Sequence, residues 1–183
     1  MTATDTLREE HKVISFALQG AGREARAIQA EGTVRGEVVE RILDFARNFT
    51  EACHHGKEEK HLFPKLAEAQ IAAEDAGLVE ELLAEHEQGR QHMRKVAEAL
   101  PKALQGDSEA AAQIASELSG YVALLRLHIG KENSQLFPLT DRVLTAGDQA
   151  ALTEAFERLE VEETGAGVHE KYHQLAHWLA GQP

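Results

Sequence analysis

The chain has 183 residues, 19 basic against 31 acidic side chains for a formal net charge of -12, ten histidines and a single cysteine. That length suits one domain with a sizeable core, and so negative a surface disfavours nucleic acid and anionic membranes as partners. Cys53 has no partner for an internal disulfide, no apolar run approaches the ~20 residues of a membrane span, and the polar residues 1–10 lack the apolar centre of a signal peptide, so a reducing, cytoplasmic setting is expected.

Ala, Leu, Glu, Gln, Lys and Arg dominate, and no Val/Ile/Thr-rich alternating run appears, so the expected fold is all-α. Thr4 or Asp5 is expected to cap a first helix carrying Leu7, Val13, Ile14, Leu18 and Ile28, which Gly32 and Thr33 end. A second helix starts near Val34 and carries Val38, Ile42, Phe45, Phe49 and Leu62 at helical intervals, with Pro64 marking its kink or end. A third begins near Glu74 and runs through Leu78, Leu82, Leu83, Met93, Val96 and Leu100. Gly106-Asp107-Ser108 reads as a stop followed by a cap, and a fourth helix carries Ile114, Leu118, Val122, Leu125 and Ile129 until Pro138 ends it. After Gly147-Asp148 an amphipathic helix runs to Glu163, and beyond Gly165-Ala166-Gly167 a last segment covers residues 168–179. Residues 1–145 are thus expected to form an up-down-up-down four-helix bundle, with residues 146–183 as a helical extension packing on the same domain. An apolar stripe on the fifth helix suits packing inward or onto a second subunit, which leaves the oligomeric state open.

An internal repeat carries most of the information. Residues 54–64 align without gaps on residues 128–138, with identities at His54/His128, Gly56/Gly130, Lys57/Lys131, Glu58/Glu132 and the two Leu-Phe-Pro endings. A Glu-His dipeptide lies upstream of each copy, Glu10-His11 and Glu85-His86, at separations of 43 and 42 residues from histidine to histidine. Each half therefore reads as a helical hairpin. His11 lies 21 residues before Gly32 and His54 lies 22 after it; His86 lies 20 before Gly106 and His128 lies 22 after it. In antiparallel helices equal distances from the turn mean equal heights, here ~30 Å from the turn at 1.5 Å per residue. Four imidazoles should converge on one level of the bundle interior.

Glu58 and Glu132 each follow a histidine by four residues, so each pair projects from one helix face toward the same centre. Four imidazoles and two carboxylates are too many for one ion that keeps an open position. They suit two ions, each held by two imidazoles and sharing bridging carboxylates, and iron accepts such ligands well.

The doubled His-x-x-x-Glu-x-x-x-Leu-Phe-Pro motif with Glu-His on the preceding helices resembles the hemerythrin-like family of cation-binding domains over roughly residues 5–145. The resemblance implies an oxo- or hydroxo-bridged non-haem centre of two iron ions, with ligands at His11, His54, Glu58, His86, His128 and Glu132. Oxygen-carrying members add a second histidine one turn after the third-helix ligand, where this chain has Arg90. The site therefore resembles the four-His, two-Glu subtype, associated with peroxide, nitric oxide or iron handling. The expected small-molecule partner is a diatomic or a peroxide, acted on in a protective, catalase-like reaction. Oxygen, nitric oxide or iron sensing, or iron storage and donation without catalysis, is the alternative.

Other groups compete with or surround this centre. His55 and Glu59 form a rival i, i+4 pair, but the second copy has Ile129 and Asn133 there, so His55 is expected to support the ligands rather than to be one. His61, seven residues after His54, should line the same face as a supporting or access-channel group, and Tyr121, seven before His128, the same face as a buried core tyrosine or, alternatively, as a hydrogen-bond donor at the centre. His92 and the lysines Lys57 and Lys131 are expected to be solvated, and Cys53 to be a small core residue. His169, His173 and His177 share one face at i, i+4, i+8; a polar histidine stripe is favoured over a metal site, with Glu170 and Tyr172 bringing this tail over the open end of the bundle as a lid. A ferritin-like centre would use Glu51-x-x-His54, Glu58-x-x-His61 or Glu170-x-x-His173, but helix four offers no such pair and His11, His86 and His128 would be idle.

Overall fold

The computed structural model describes residues 2–69, 71–165 and 167–182, and no strand occurs among them. The first helix, α1, spans Ala3–Glu31. Its cap is Thr2 rather than Thr4 or Asp5: Thr2 accepts from the Asp5 amide while the Asp5 side chain reaches back to the Thr2 amide, so Asp5 closes a capping box from inside the helix. Gly32, at φ 69°, ends α1 in the left-handed conformation that glycine adopts without strain.

The second helix, α2, is continuous over residues 36–68. It opens as an α-helix (Gly36–Phe45), widens to i→i+5 turns over Ala46–His55 and again over Glu58–Leu62, and closes as Phe63–Glu68. Pro64 does not end it. Proline lacks an N–H and its ring clashes with the carbonyl four residues back, and the chain absorbs this by one wide turn in which the Phe63 amide donates to Glu58 O. The second copy behaves identically. Helix α4 starts at Ser108–Lys131, capped by Asp107, widens over Glu132–Leu136 where the Phe137 amide donates to Glu132 O, and continues past Pro138 as Phe137–Val143. Between them lies α3, Ala73–Ala103.

The extension comprises α5, Ala146–Leu159 with a wide last turn Glu160–Thr164, and α6, Val168–Ala180. Of the break expected at residues 165–167, Ala166 lies outside the described residues. Helix α6 is not a lid over the bundle's end. It packs along α1 and α2: Tyr172 is buried beside Phe45 and Phe49 and donates to Asp44 Oδ1 (3.3 Å), and Arg23 donates to the Ala180 carbonyl. At Gly20 a Cβ would stand 2.6 Å from Leu179 O, so only glycine lets α1 and α6 approach so closely.

Two apolar clusters fill the interior. One holds Ile14, Leu18, Ile42, Phe45, Phe49, Val96, Ile114, Leu118 and Leu125, toward the hairpin turns. The other holds Leu7, Leu62, Leu66, Leu82, Leu136, Phe137 and Phe156, toward the opposite end. Along every helix of the bundle the two sets are separated by the same polar residues: His11 on α1, His54 and Glu58 on α2, His86 on α3, His128 and Glu132 on α4.

Candidate metal centre

These six residues are at most 2% exposed and their side chains meet in one layer. Nε2 of His11 lies 3.0 Å from Nε2 of His54, and Nε2 of His86 lies 3.1 Å from Nε2 of His128. Each carboxylate faces both pairs. Glu132 Oε2 stands 2.9 Å from His11 and Oε1 3.0 Å from His128; Glu58 Oε1 stands 3.7 Å from His54 and Oε2 3.5 Å from His86.

The outward nitrogen of each imidazole has its own partner, and these partners fix the proton. His54 Nδ1–H donates to Glu10 Oε2 (2.9 Å), His86 to Glu59 Oε1 (2.8 Å), His128 to Glu85 Oε2 (2.9 Å) and His11 to Asn133 Oδ1 (3.0 Å). A carboxylate can only accept, so Nδ1 carries the hydrogen and Nε2 presents a lone pair inward. Burial works to raise Glu10, but the His54 hydrogen bond and the Lys57 ammonium overcome it and hold the carboxyl at about 2. The His86 hydrogen bond, against burial and with Arg90, holds Glu59 at about 2. Burial pushes the His54 and His86 imidazoles down to about 4, so both are neutral near pH 7.

The centre is therefore rich in buried donor atoms. Lone pairs face each other at 3.0–3.1 Å, and all four oxygens of Glu58 and Glu132 lack a hydrogen-bond donor. Buried polar atoms in this state are costly unless a cation satisfies them. Two donors at right angles about an ion, with bonds of about 2.1 Å, lie roughly 3 Å apart, as these nitrogens do. Donor atoms within 4.8 Å of one another fall into two sets, His11/His54/Glu58/Glu132 and His55/Glu58/His86/His128, which share Glu58. The residues present fit two adjacent divalent ions with carboxylates between them.

The repeat extends beyond the ligand set. Phe137 stacks on His11 (5.2 Å between centroids, 21°) and Phe63 on His86 (6.0 Å, 24°), so the Leu-Phe-Pro endings roof the layer with apolar rings. Lys57 is not solvated, whereas Lys131 is partly exposed. Lys57 is fully buried and pairs with Glu10 and, at 2.5 Å, with Glu160 of the extension; Lys131 pairs with Glu85 and, at 2.7 Å, with Glu81. The glutamates of the two Glu-His dipeptides thus orient the histidine of the following helix, and the lysine three residues after that histidine neutralises them. Glu59 and Asn133, equivalent in the repeat, hold the α3 and α1 histidines. The sequence signals were present: paired Glu-His dipeptides, and two hydrogen-bond acceptors at one repeat position.

Of the residues expected around the ligands, one stands elsewhere and two lie close to the layer. His61 faces Phe156 (6.3 Å) beside Lys65 and Asp148 on the α2–α5 side, because the wide turn at Glu58–Leu62 breaks the two-turn register that a seven-residue spacing assumes. Tyr121 lies in the apolar cluster under the layer with Ile14, Phe45 and Thr50, where burial pushes its phenol up. His55 stacks on His86 (3.6 Å, 12°), and its nitrogen lies within 4.8 Å of donor atoms of Glu58, His86 and His128. His92 is half-buried and bonded to Glu117 (2.6 Å) rather than solvated. His169 packs against Phe49, and His173 against His177; none of the three joins a metal-competent group among the described residues. Cys53 is buried, 3.8 Å from Glu10 Oε1, and burial pushes its thiol up to about 12. Arg90 binds Glu51 (2.9 Å) and Glu59 and lines, with Arg47, Arg94 and Met93, a groove of about 290 Å³ between α2 and α3.

The family model described as the hemerythrin HHE cation binding domain matches residues 2–140. Curated relatives include uncharacterized proteins of Mycobacterium tuberculosis and Mycobacterium bovis, each 26% identical over 157 residues, which is 86% of this chain. The chain spans 60% of the length of these relatives. No solved structure matches it with statistical support. Among the described residues no helix is long and apolar enough to cross a membrane.

Proposed function

Because the chain belongs to the hemerythrin HHE cation-binding family, we propose that it is a non-haem di-iron protein that binds and reacts with O2, hydrogen peroxide or nitric oxide, with peroxide removal as its concrete activity. His11, His54, Glu58, His86, His128 and Glu132 are the ligands. One observation carries the reading: two buried carboxylates, each with one oxygen toward each histidine pair, and no hydrogen-bond donor to any of their four oxygens. Two iron ions there would supply one-electron redox steps and an open position for a small oxidant.

The chain's own groups do the rest. Glu58 and Glu132 offset part of the charge of two divalent ions inside an apolar bundle. Glu10, Glu59 and Glu85 fix the tautomers and strengthen the imidazoles as donors. Leu62, Phe63, Leu136 and Phe137 on one side, and Phe49, Leu125 and Ile14 on the other, keep bulk water from the layer. Arg90, ion-paired at the edge of the groove, occupies the position where oxygen carriers have an imidazole.

The test is peroxide added to the iron-loaded protein with an oxygen electrode and an ultraviolet-visible record. Oxygen evolution that disappears in Glu58→Gln supports the reading. A protein that neither consumes peroxide nor changes its spectrum with O2 or nitric oxide contradicts it.

A further inference from the structure

We propose that the groove between α2 and α3 binds a small amphiphilic carboxylate, its head held by Arg47 and Arg94 and its apolar body laid against Leu43, Ala46, Met93 and Ala97. The groove lies outside the histidine layer, and none of the layer's histidines lines it.

The space exists because both helices carry alanine where they pass. Ala46 on α2 and Ala97 on α3 leave about 290 Å³ between them, near the small end of the range for ligand pockets (~300–1,000 Å³). Ala46 is also the residue at which α2 widens to i→i+5 turns. Leu43 and Met93 flank the alanines, each partly buried against the bundle core. The wall is therefore hydrocarbon, and a methionine in it adapts to the shape of a flexible chain.

The charges around this wall are unequally committed. Arg90 is bound to Glu51 (2.9 Å), Glu59 and Glu87, so Arg90 and Glu51, which both line the groove, are already partnered. Arg47 and Arg94 are exposed and make no ion pair or hydrogen bond with any described residue. Glu98 follows Arg94 by four residues, the spacing of a helical ion pair, yet the two are not joined. Two spare guanidiniums beside an apolar wall call for an anion with a hydrocarbon body. A guanidinium offers parallel N–H donors that match a carboxylate, and it gives up its water more readily than an ammonium does. The chain's net charge of -12 turns away extended polyanions, whereas a single carboxylate meets mainly the local field of the groove. Inorganic phosphate would satisfy the arginines but leave the wall in water.

The experiment titrates octanoate into the full chain as purified, with ¹³C in the methionine methyls. The chain has two methionines, so Met93→Leu identifies the Met93 signal. That methyl should shift saturably, and calorimetry should give one octanoate per chain. Arg47→Gln combined with Arg94→Gln should weaken binding by about tenfold or more. Octanol, acetate and inorganic phosphate should each bind about tenfold or more weaker than octanoate, since each lacks the head or the body. Ala97→Leu, which fills the groove and keeps both arginines, should abolish the shift. A Met93 methyl that does not move overturns the proposal, as does octanoate affinity unchanged in the double variant or in Ala97→Leu, or matched by octanol, acetate or phosphate. The titration reads the groove whether the protein carries iron, zinc or no metal, so its failure and that of the di-iron reading are distinguishable.

Discussion

Lys57 and Lys131 occupy the same position of the repeat, and the structure gives them very different weights. The Lys57 ammonium is fully buried, with Glu10 (1% exposed side chain) on one side and Glu160 on the other, under Phe156. Lys57→Met keeps the aliphatic stem but leaves the Glu10 carboxylate in the interior with only His54 as partner. Breaking a buried pair from one side costs about 3–5 kcal/mol, because an uncompensated charge remains. Lys131 is 21% exposed and its partners Glu81 and Glu85 reach water, so Lys131→Met should cost about 0–1 kcal/mol. Urea unfolding of the metal-free protein at pH 7, followed by circular dichroism, separates the two: a midpoint about 1–2 M lower for Lys57→Met, and little change for Lys131→Met. Adding Glu10→Gln to Lys57→Met should return much of the loss, since a neutral amide can still accept from His54. Equal costs for the two lysine variants, within about 0.5 kcal/mol, would refute the reasoning.

Metal-free protein should lose stability as pH falls from 6.5 toward 4. Native His54 and His86 stay neutral down to about 4 while the unfolded chain binds protons near 6.5, each adding about 1.4 kcal/mol per pH unit at most; a flat melting temperature across that range would contradict it. Gly20→Ala drives a methyl into the Leu179 carbonyl, so α6 should loosen at a cost of about 1–3 kcal/mol and be clipped first in limited proteolysis, with iron content unchanged. Thr2→Ala removes the cap of α1 and should cost about 1 kcal/mol in thermal unfolding.

The level at which four histidines meet was legible because two numbers govern it: the rise of a helix, and the distance to turns that Gly32 and Gly106 mark without ambiguity. The carboxylates followed from the four-residue spacing. The wide turns were not legible, since nothing in a hydrophobic period distinguishes a proline that ends a helix from one absorbed by an i→i+5 turn. The position of His61 was illegible for that reason. Regular helical geometry turns the neighbour of an inward residue about 100° away, and it puts residues seven apart on one face. Lys57 was illegible in another way: its second partner, Glu160, comes from the extension about a hundred residues later, and only tertiary packing brings it over α2.

The most direct test of the central claim is the metal content of protein purified in air, measured together with its near-ultraviolet spectrum. The account predicts about two irons per chain with oxo-to-iron charge-transfer bands, falling sharply in Glu132→Gln. Zinc in place of iron, or no metal after anaerobic reconstitution with ferrous ions, would contradict it.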